Sequence, residues 1–393
     1  MTASGHDSIY LDYNATTPVD PRVVDAMLPF FHERFGNPSS RHHGLGCDAA
    51  KSVEQAREQV AAVLGADPRE IVWTSGATEA NNLALKGPIA SDAHARRGKH
   101  IVTVTTEHAA VLDPCGYLER NGYRVTYLPV RSDGTLDLDR LREAITDETV
   151  LVSVMHANNE IGVLHPVAEI GAICRERGAL FHTDATQAFG KEKIDVEEAS
   201  IDLLSASAHK FYGPKGAGFL YIRRRRPRVR TEALLHGGGH ELGHRSGTLN
   251  VPGIVGTGAA AAICQTERES EQERIRELRD RLHARITGEL ESVALNGPEN
   301  GRLANTLNLS FLGVDGEELM RRMTDVAVSS ASACTSALVQ PSHVLGALGL
   351  DEEHLRGSVR FSLGRFTTEN EIEVAATRIV ESVRELRAAA SSS

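Results

Sequence analysis

The sequence predicts an α/β protein, with a mostly parallel sheet in a large unit followed by a smaller α+β unit. Three observations carry this. Short apolar runs of strand length recur between residues 71 and 222, helix-like stretches lie between several of them, and the pattern changes after about Gly258. Buried apolar strands alternating with helices mark a mostly parallel sheet.

The elements follow in order. From Ala49 to Leu64, residues Val53, Ala56, Val60, Val63 and Leu64 stand near helical spacing, and Gly65 supplies a stop. The strand-like runs are Ile71–Thr74, Ile101–Thr105, Leu151–Met155, Leu180–His182, Leu203–Ser205 and Gly218–Ile222. A helix over Val167–Arg177 ends in Gly178. Thr266 to Leu290 is charge-rich, with Ile275, Leu278, Leu282 and Ile286 forming an apolar stripe. Beyond it come a strand at Thr306–Phe311, a helix at Gly316–Met323, a strand at Val359–Ser362 and a helix from Glu369 to Ala388. The residues from Ala388 to Ser393 have the composition of a frayed tail.

Bulk properties exclude several classes. The 393 residues suggest two or three domains at roughly 100–200 residues each. With 41% hydrophobic and 24% charged residues, the chain is neither disordered nor collagenous. A formal charge of −10 gives no bulk attraction to nucleic acid. No apolar run approaches the roughly 18 residues of a membrane span. Met1 to Tyr10 lacks the regions of a signal peptide, so the expected location is cytoplasmic. The five cysteines, Cys47, Cys115, Cys174, Cys264 and Cys334, include no C-x-x-C pair and read as free thiols, any one of them more readily a small core hydrophobe than a reactive group.

Ligands on parallel sheets bind at the carboxyl ends of strands, and polar clusters follow five of the runs. Ser75-Gly76-Ala77-Thr78-Glu79-Ala80-Asn81-Asn82 enters a helix, either as an anion cradle or as an ordinary capping turn. Glu107-His108, His156 to Glu160, Asp184 to Gln187 and Ser207 to Lys210 follow the others. Five such clusters at one sheet edge look like a cofactor site. A phosphate cradle, an aspartate and a later lysine match pyridoxal phosphate, which needs an amine for its aldehyde and a carboxylate for its pyridine nitrogen.

At these residues the chain resembles the group I cysteine desulfurases of aminotransferase class V. The matching segments are Tyr10 to Pro18, Thr74 to Glu79, Glu107-His108, Met155 to Gly162, Asp184 to Gln187, Ser207 to Lys210, Gly237 to Leu249, Ser329 to Ser336 and Arg360 to Thr368. They run in family order over almost the whole chain. The resemblance implies the type I aminotransferase fold and a homodimer. It implies a large cofactor domain over 15–260 and a small domain from 1–14 and 261–393, which carries the catalytic cysteine loop.

The resemblance also implies roles. Lys210 would hold pyridoxal 5'-phosphate and move the substrate Cα proton, Asp184 would pair with the pyridine nitrogen, and His108 would stack on the ring. Gln187 would bond the ring phenolate oxygen. Ala77, Thr78, Ser207 and His209 would bind the phosphate, with Thr248 reaching in from the partner subunit. Asn14, Asn159 and Arg360 would bind substrate, an Arg fork matching its carboxylate. Cys334, in a run of small polar residues, would take sulfur from L-cysteine as a persulfide and leave L-alanine. A protein sulfur acceptor, either a cluster scaffold or a thiolation protein, would then receive it.

Rival readings are a selenocysteine lyase or other class V lyase on the same scaffold, and a sulfur-carrier partner without catalysis. The Ser329–Ser336 segment opposes the first, and Lys210, Asp184, His108 and Cys334 together oppose the second. The basic run Arg223 to Arg230 reads as a solvated loop. His236 to Glu241 mimics a metal site, but its glycines read better as close backbone approach to a dimer partner's cofactor, with no metal.

Overall fold

A computed structural model describes residues 8–330 and 342–391. Its larger sheet has seven strands in the spatial order Ile71–Thr74, Gly218–Ile222, Leu203–Ser207, Leu180–Asp184, Thr149–Ser153, His100–Val104, Arg124–Leu128. Gly218–Ile222 runs antiparallel to both neighbours, and the other neighbouring pairs are parallel. Six of the strands are buried along their full length, which is why they read as unbroken apolar runs. The edge strand Arg124–Leu128 is only partly buried and begins on an exposed arginine, so it gave no such run.

The second sheet is antiparallel, in the order Ser329–Ser330, Ser358–Ser362, Thr306–Phe311, Val293–Leu295. It has its own core, including Leu282, Leu307, Phe311, Phe361 and Ile379. Near the N-terminus, Ile9–Tyr10 pairs in parallel with Val326–Ala327, and Leu11 enters this same core.

Helices Gly44–Leu64 and Val167–Arg177 end at Gly65 and Gly178, whose left-handed φ of 66° and 69° a side chain would resist. The long helix begins earlier than its charged stripe predicts: it spans Val251–Glu289. Gly253, Gly256 and Gly258 lower helix propensity in its first turns, and packing overrides this. A Cβ at Gly256 would lie 2.4 Å from Met27 Sδ, and one at Gly258 would lie 2.5 Å from Ala56 Cα. Asn250 caps the start by accepting from Gly253 N at 3.2 Å. Residues Val251 to Cys264 pack in the first core and Ile275 to Ile286 in the second. Positions 260 and 261 therefore fall inside one continuous helix. The C-terminal helix runs Glu369–Ser391, beyond the Ala388 expected from composition.

Two local readings are corrected. Arg223 is not solvated: it is fully buried, donating to the Ile201 and Val196 carbonyls and pairing with Glu197. It directly follows the buried strand Gly218–Ile222, whereas Arg225, Arg226 and Arg228 are exposed. Cys47 is exposed, with its thiol donating to the Arg41 carbonyl, so it does not act as a core hydrophobe as Cys115, Cys174 and Cys264 do. Among the described residues no helix is long and apolar enough to cross a membrane.

Candidate active site

Turns at one edge of the large sheet enclose a cavity of about 540 Å³. Lys210, His108, Asp184, Gln187 and Asn159 line it, and so do Ala77, Thr78, Ser207 and His209. Nine residues singled out in the sequence thus meet in one place. Asn14 and Arg360 stand behind the wall and bond to residues in it. Thr248 is exposed and lies outside this cavity's lining. Cys334 lies outside the described residues.

The helix Ala77–Ala90 starts at Gly76, and no side chain caps it. Its first N–H groups are free to receive an anion, the arrangement that binds phosphates. Close approach builds this turn: a Cβ on Gly218 would lie 2.7 Å from Gly76 Cα. The two glycines let the turn settle against the strand end that bears Ser207.

Asp184 ends the strand Leu180–Asp184 and is held from two sides. Asn81 Nδ2 donates to its Oδ2 at 2.7 Å, and Thr186 N donates to Oδ1 at 2.9 Å. Beside it, burial and then the Asp184 charge push the Glu107 carboxyl well above its usual range. Glu107 Oε1 accepts from Met155 N at 2.6 Å. Of the two acids, Asp184 lines the cavity.

Lys210 sits in the short helical turn after Leu203–Ser207. Its Nζ donates to the Asn14 carbonyl and, at 2.8 Å, to the Ala15 carbonyl. Burial, reinforced by the Arg360 charge, lowers its pKa to about 8. A sizeable fraction of neutral, nucleophilic amine is therefore present near neutral pH. Burial and the Lys210 and Lys215 charges lower His209 to about 4, so it is neutral there. His108 caps the helix Ala109–Arg120, its Nδ1 accepting from Ala110 N at 3.0 Å. In the neutral ring that bond puts the proton on Nε2.

Arg360 donates to Asp12 Oδ1 at 2.7 Å and to the Asn159 carbonyl at 2.9 Å, while its buried Nε has no partner among the described residues. Asn14 donates to the Asn159 carbonyl and to Thr306 Oγ1, and its own oxygen accepts from Asn305. Glu241, in the run that mimics a metal site, is fully engaged elsewhere. Arg57 grips its carboxylate with two bonds of 2.9 Å, and Trp73 N adds a third. Burial pushes the thiols of Cys115 and Cys264 up to about 12 and 11, and that of Cys174 higher still, so none is a ready nucleophile.

Asn81, Asp12 and Lys191 were not singled out by sequence reasoning, and Glu107 was quoted only as a member of a polar cluster. Asn81 and Asp12 do lie within quoted segments, and Lys191 follows Gln187 by four positions. What they lacked was any sign of the side chains they support.

The aminotransferase class-V family matches residues 9–374. A cysteine desulfurase IscS from Anaeromyxobacter sp. (strain Fw109-5) is 55% identical over 379 residues, covering 96% of this chain and 93% of the relative. The cysteine desulfurase IscS of Methylococcus capsulatus is also 55% identical, with the same coverage. Among solved structures, a NifS-like protein superposes with a TM-score of 0.88 at 39% identity, covering 95% of this chain and 98% of that one. A structure titled SspA in complex with cysteine gives 0.79 at 39% identity, covering 92% of this chain and all of the other. Matched over residues 9–374 by this family, and at more than half identity by curated cysteine desulfurases, the chain belongs to aminotransferase class V and, within it, to the group I cysteine desulfurases.

Proposed function

We propose that this protein uses pyridoxal phosphate, held in the cavity by Lys210, to convert L-cysteine to L-alanine and place its sulfur on Cys334. The observation that carries this is the meeting of Lys210, the clamped Asp184 and the uncapped Ala77–Ala90 helix start in one cavity. An amine, a carboxylate and a phosphate cradle are what that cofactor requires. When bound, it supplies an aldehyde for amine exchange and an electron sink for the substrate's α-carbon.

The chain's own groups do the rest. Ser207, Thr78 and the backbone at Ala77 hold the phosphate, with His209 beside them. Asp184, oriented by Asn81 and Thr186, would pair with the ring nitrogen. The His108 ring stacks on the cofactor. Lys210 accepts the Cα proton from substrate cysteine. Arg360 and Asn159 orient the substrate carboxylate, a bidentate match for a guanidinium. The Cys334 thiolate attacks the substrate sulfur; an S–S bond forms, the Cβ–S bond breaks with its electron pair staying on carbon, and alanine leaves after protonation.

We further propose a homodimer in the cytoplasm, passing sulfur to a protein acceptor. Leu28, Phe31, Phe35 and Leu242 are each more than half exposed, apolar side chains suited to burial against a second copy. Thr248, exposed and outside its own cavity's lining, suits the same arrangement.

The test is Cys334→Ser. The variant should bind pyridoxal phosphate and respond spectrally to L-cysteine, yet release neither sulfide nor stoichiometric alanine, because a hydroxyl is a poor nucleophile toward sulfur. Mass spectrometry of the wild type after one turnover should find an added sulfur on the Cys334 peptide. A fully active variant, with the sulfur on Cys47, would assign the chemistry to the wrong thiol.

A further inference from the structure

Lys191 is buried, at 7% exposure, in the turn after the Asp184 strand. Among the described residues its ammonium forms no ion pair. Its hydrogen bond goes to a neutral amide, with Nζ donating to Gln187 Oε1 at 2.9 Å. Burying a cation without a counter-ion is unfavourable, and an apolar side chain would fill the same space at less cost. Lys191 therefore does little for the fold, and its partner is the informative one.

Gln187 lines the cavity, and its Nε2 donates to the Asn14 carbonyl at 2.9 Å. That same carbonyl accepts from Lys210 Nζ. The two ends of a glutamine amide are nearly equal in shape, so hydrogen bonds decide which faces where. A carbonyl can only accept, and a protonated lysine can only donate. Both contacts consequently impose one orientation, with the oxygen toward Lys191 and the NH₂ toward Asn14, leaving its second hydrogen free.

We propose that Lys191 is a positioning residue for Gln187: it holds and polarises the amide so that its NH₂ donates to the anionic ring oxygen of the bound cofactor. This rests on the reading of the cavity as a pyridoxal phosphate site. The groups facing the Lys191 amine leave its charge balanced near neutral pH. Burial first, and then the Lys210 charge, lowers its pKa to about 7, while Glu271, Cys264 and Glu192 act weakly the other way. Glu271 is itself engaged by Arg365 at 2.6 Å.

The experiment compares holoenzymes of the wild type, Lys191→Met, Lys191→Arg, Gln187→Ala and the Lys191→Met/Gln187→Ala double variant. The main readout is the pH midpoint of the visible cofactor band. A donor to the ring oxygen stabilises its anionic form, so losing that donor should raise the midpoint. Lys191→Met should raise it by about one unit and lower kcat about tenfold, the worth of one hydrogen bond, with KM within about twofold. Lys191→Arg should restore most of both, and Lys191→Met should add nothing in the Gln187→Ala background. If Lys191→Met does not fold, Lys191→Gln, which keeps a donor but no charge, should still raise the midpoint. A midpoint unmoved by the Lys191 variants but moved by Gln187→Ala would overturn the proposal. So would a Lys191→Met shift that persists in full without Gln187. A midpoint unmoved by Gln187→Ala itself would show that the reading of Gln187 in the cavity is wrong, and the proposal would fall with it.

Discussion

Asn81 and Asp184, buried side chains from different elements, are joined by a 2.7 Å hydrogen bond from amide to carboxylate. The helix that begins at the phosphate cradle thus also aims the acid at the far end of the cavity. Asp184→Ala should retain some cofactor but lose most activity, since an unprotonated pyridine ring is a poor electron sink. Asn81→Ala should be milder, a loss of roughly tenfold in kcat for one charge-assisted hydrogen bond. Alanine formation at near wild-type rates in Asp184→Ala would contradict the assignment.

Lys210→Ala should abolish the visible band and all turnover. Borohydride reduction followed by peptide mapping checks this, since a reduced adduct on another lysine would relocate the site. The direction of its pKa shift adds a second expectation. Only the neutral amine attacks an aldehyde, and its fraction grows as pH rises through about 8. Uptake of pyridoxal phosphate by the apoprotein, followed by stopped-flow absorbance, should accelerate across that pH range and then level off.

Asp12 is predicted to act through Arg360. Their 2.7 Å ion pair fixes one end of the guanidinium while the Asn159 carbonyl fixes another. Arg360→Lys keeps the charge but loses the fork, and should raise KM for L-cysteine roughly ten- to a hundredfold. Asp12→Asn should raise KM less, with kcat nearly unchanged. Steady-state kinetics separate the two, and a pure kcat effect in either variant would speak against carboxylate binding.

Buried neutral histidines set an acid limit on stability. Burial lowers His156, His165 and His182 from 6.5 to about 4. The unfolded chain binds more protons than the folded one between those values. Stability is therefore fully present above about 6.5 and declines as pH falls toward 4 and below. The melting temperature should drop through this window, and His165→Gln should flatten the drop. A melting temperature constant from pH 7 to 4 would show these side chains to be protonated in the fold already.

Much of the site was legible because a parallel sheet gathers strand ends at one edge. The clusters after Thr74, Val104, Ser153, Asp184 and Ser207 are scattered in sequence, but strand pairing makes them neighbours. Apolar runs such as Ile71–Thr74 and Thr306–Phe311 were readable to the residue, being fully buried. The start of the long helix was not readable, because Gly253, Gly256 and Gly258 lower helix propensity locally, and the close approach of Met27 to Gly256 and of Ala56 to Gly258 is not visible in the sequence. Lys191 was hidden for a similar reason. Its meaning lies in the amide it touches and in the water it lacks, and neither is a property of the local sequence.

The pairing of Ile9–Tyr10 with Val326–Ala327 has a consequence for how the protein is made. More than three hundred residues must be synthesised before the N-terminal strand meets its partner, a delay of roughly 15–60 s at ordinary ribosomal speeds. Asp12, which follows that strand directly, waits longer still for Arg360, which is made after Ala327. The large sheet can form on the nascent chain, with Lys210 in place, before the N-terminal segment can close over it. The order of synthesis therefore delays completion of the substrate side of the cavity until the last strand has emerged.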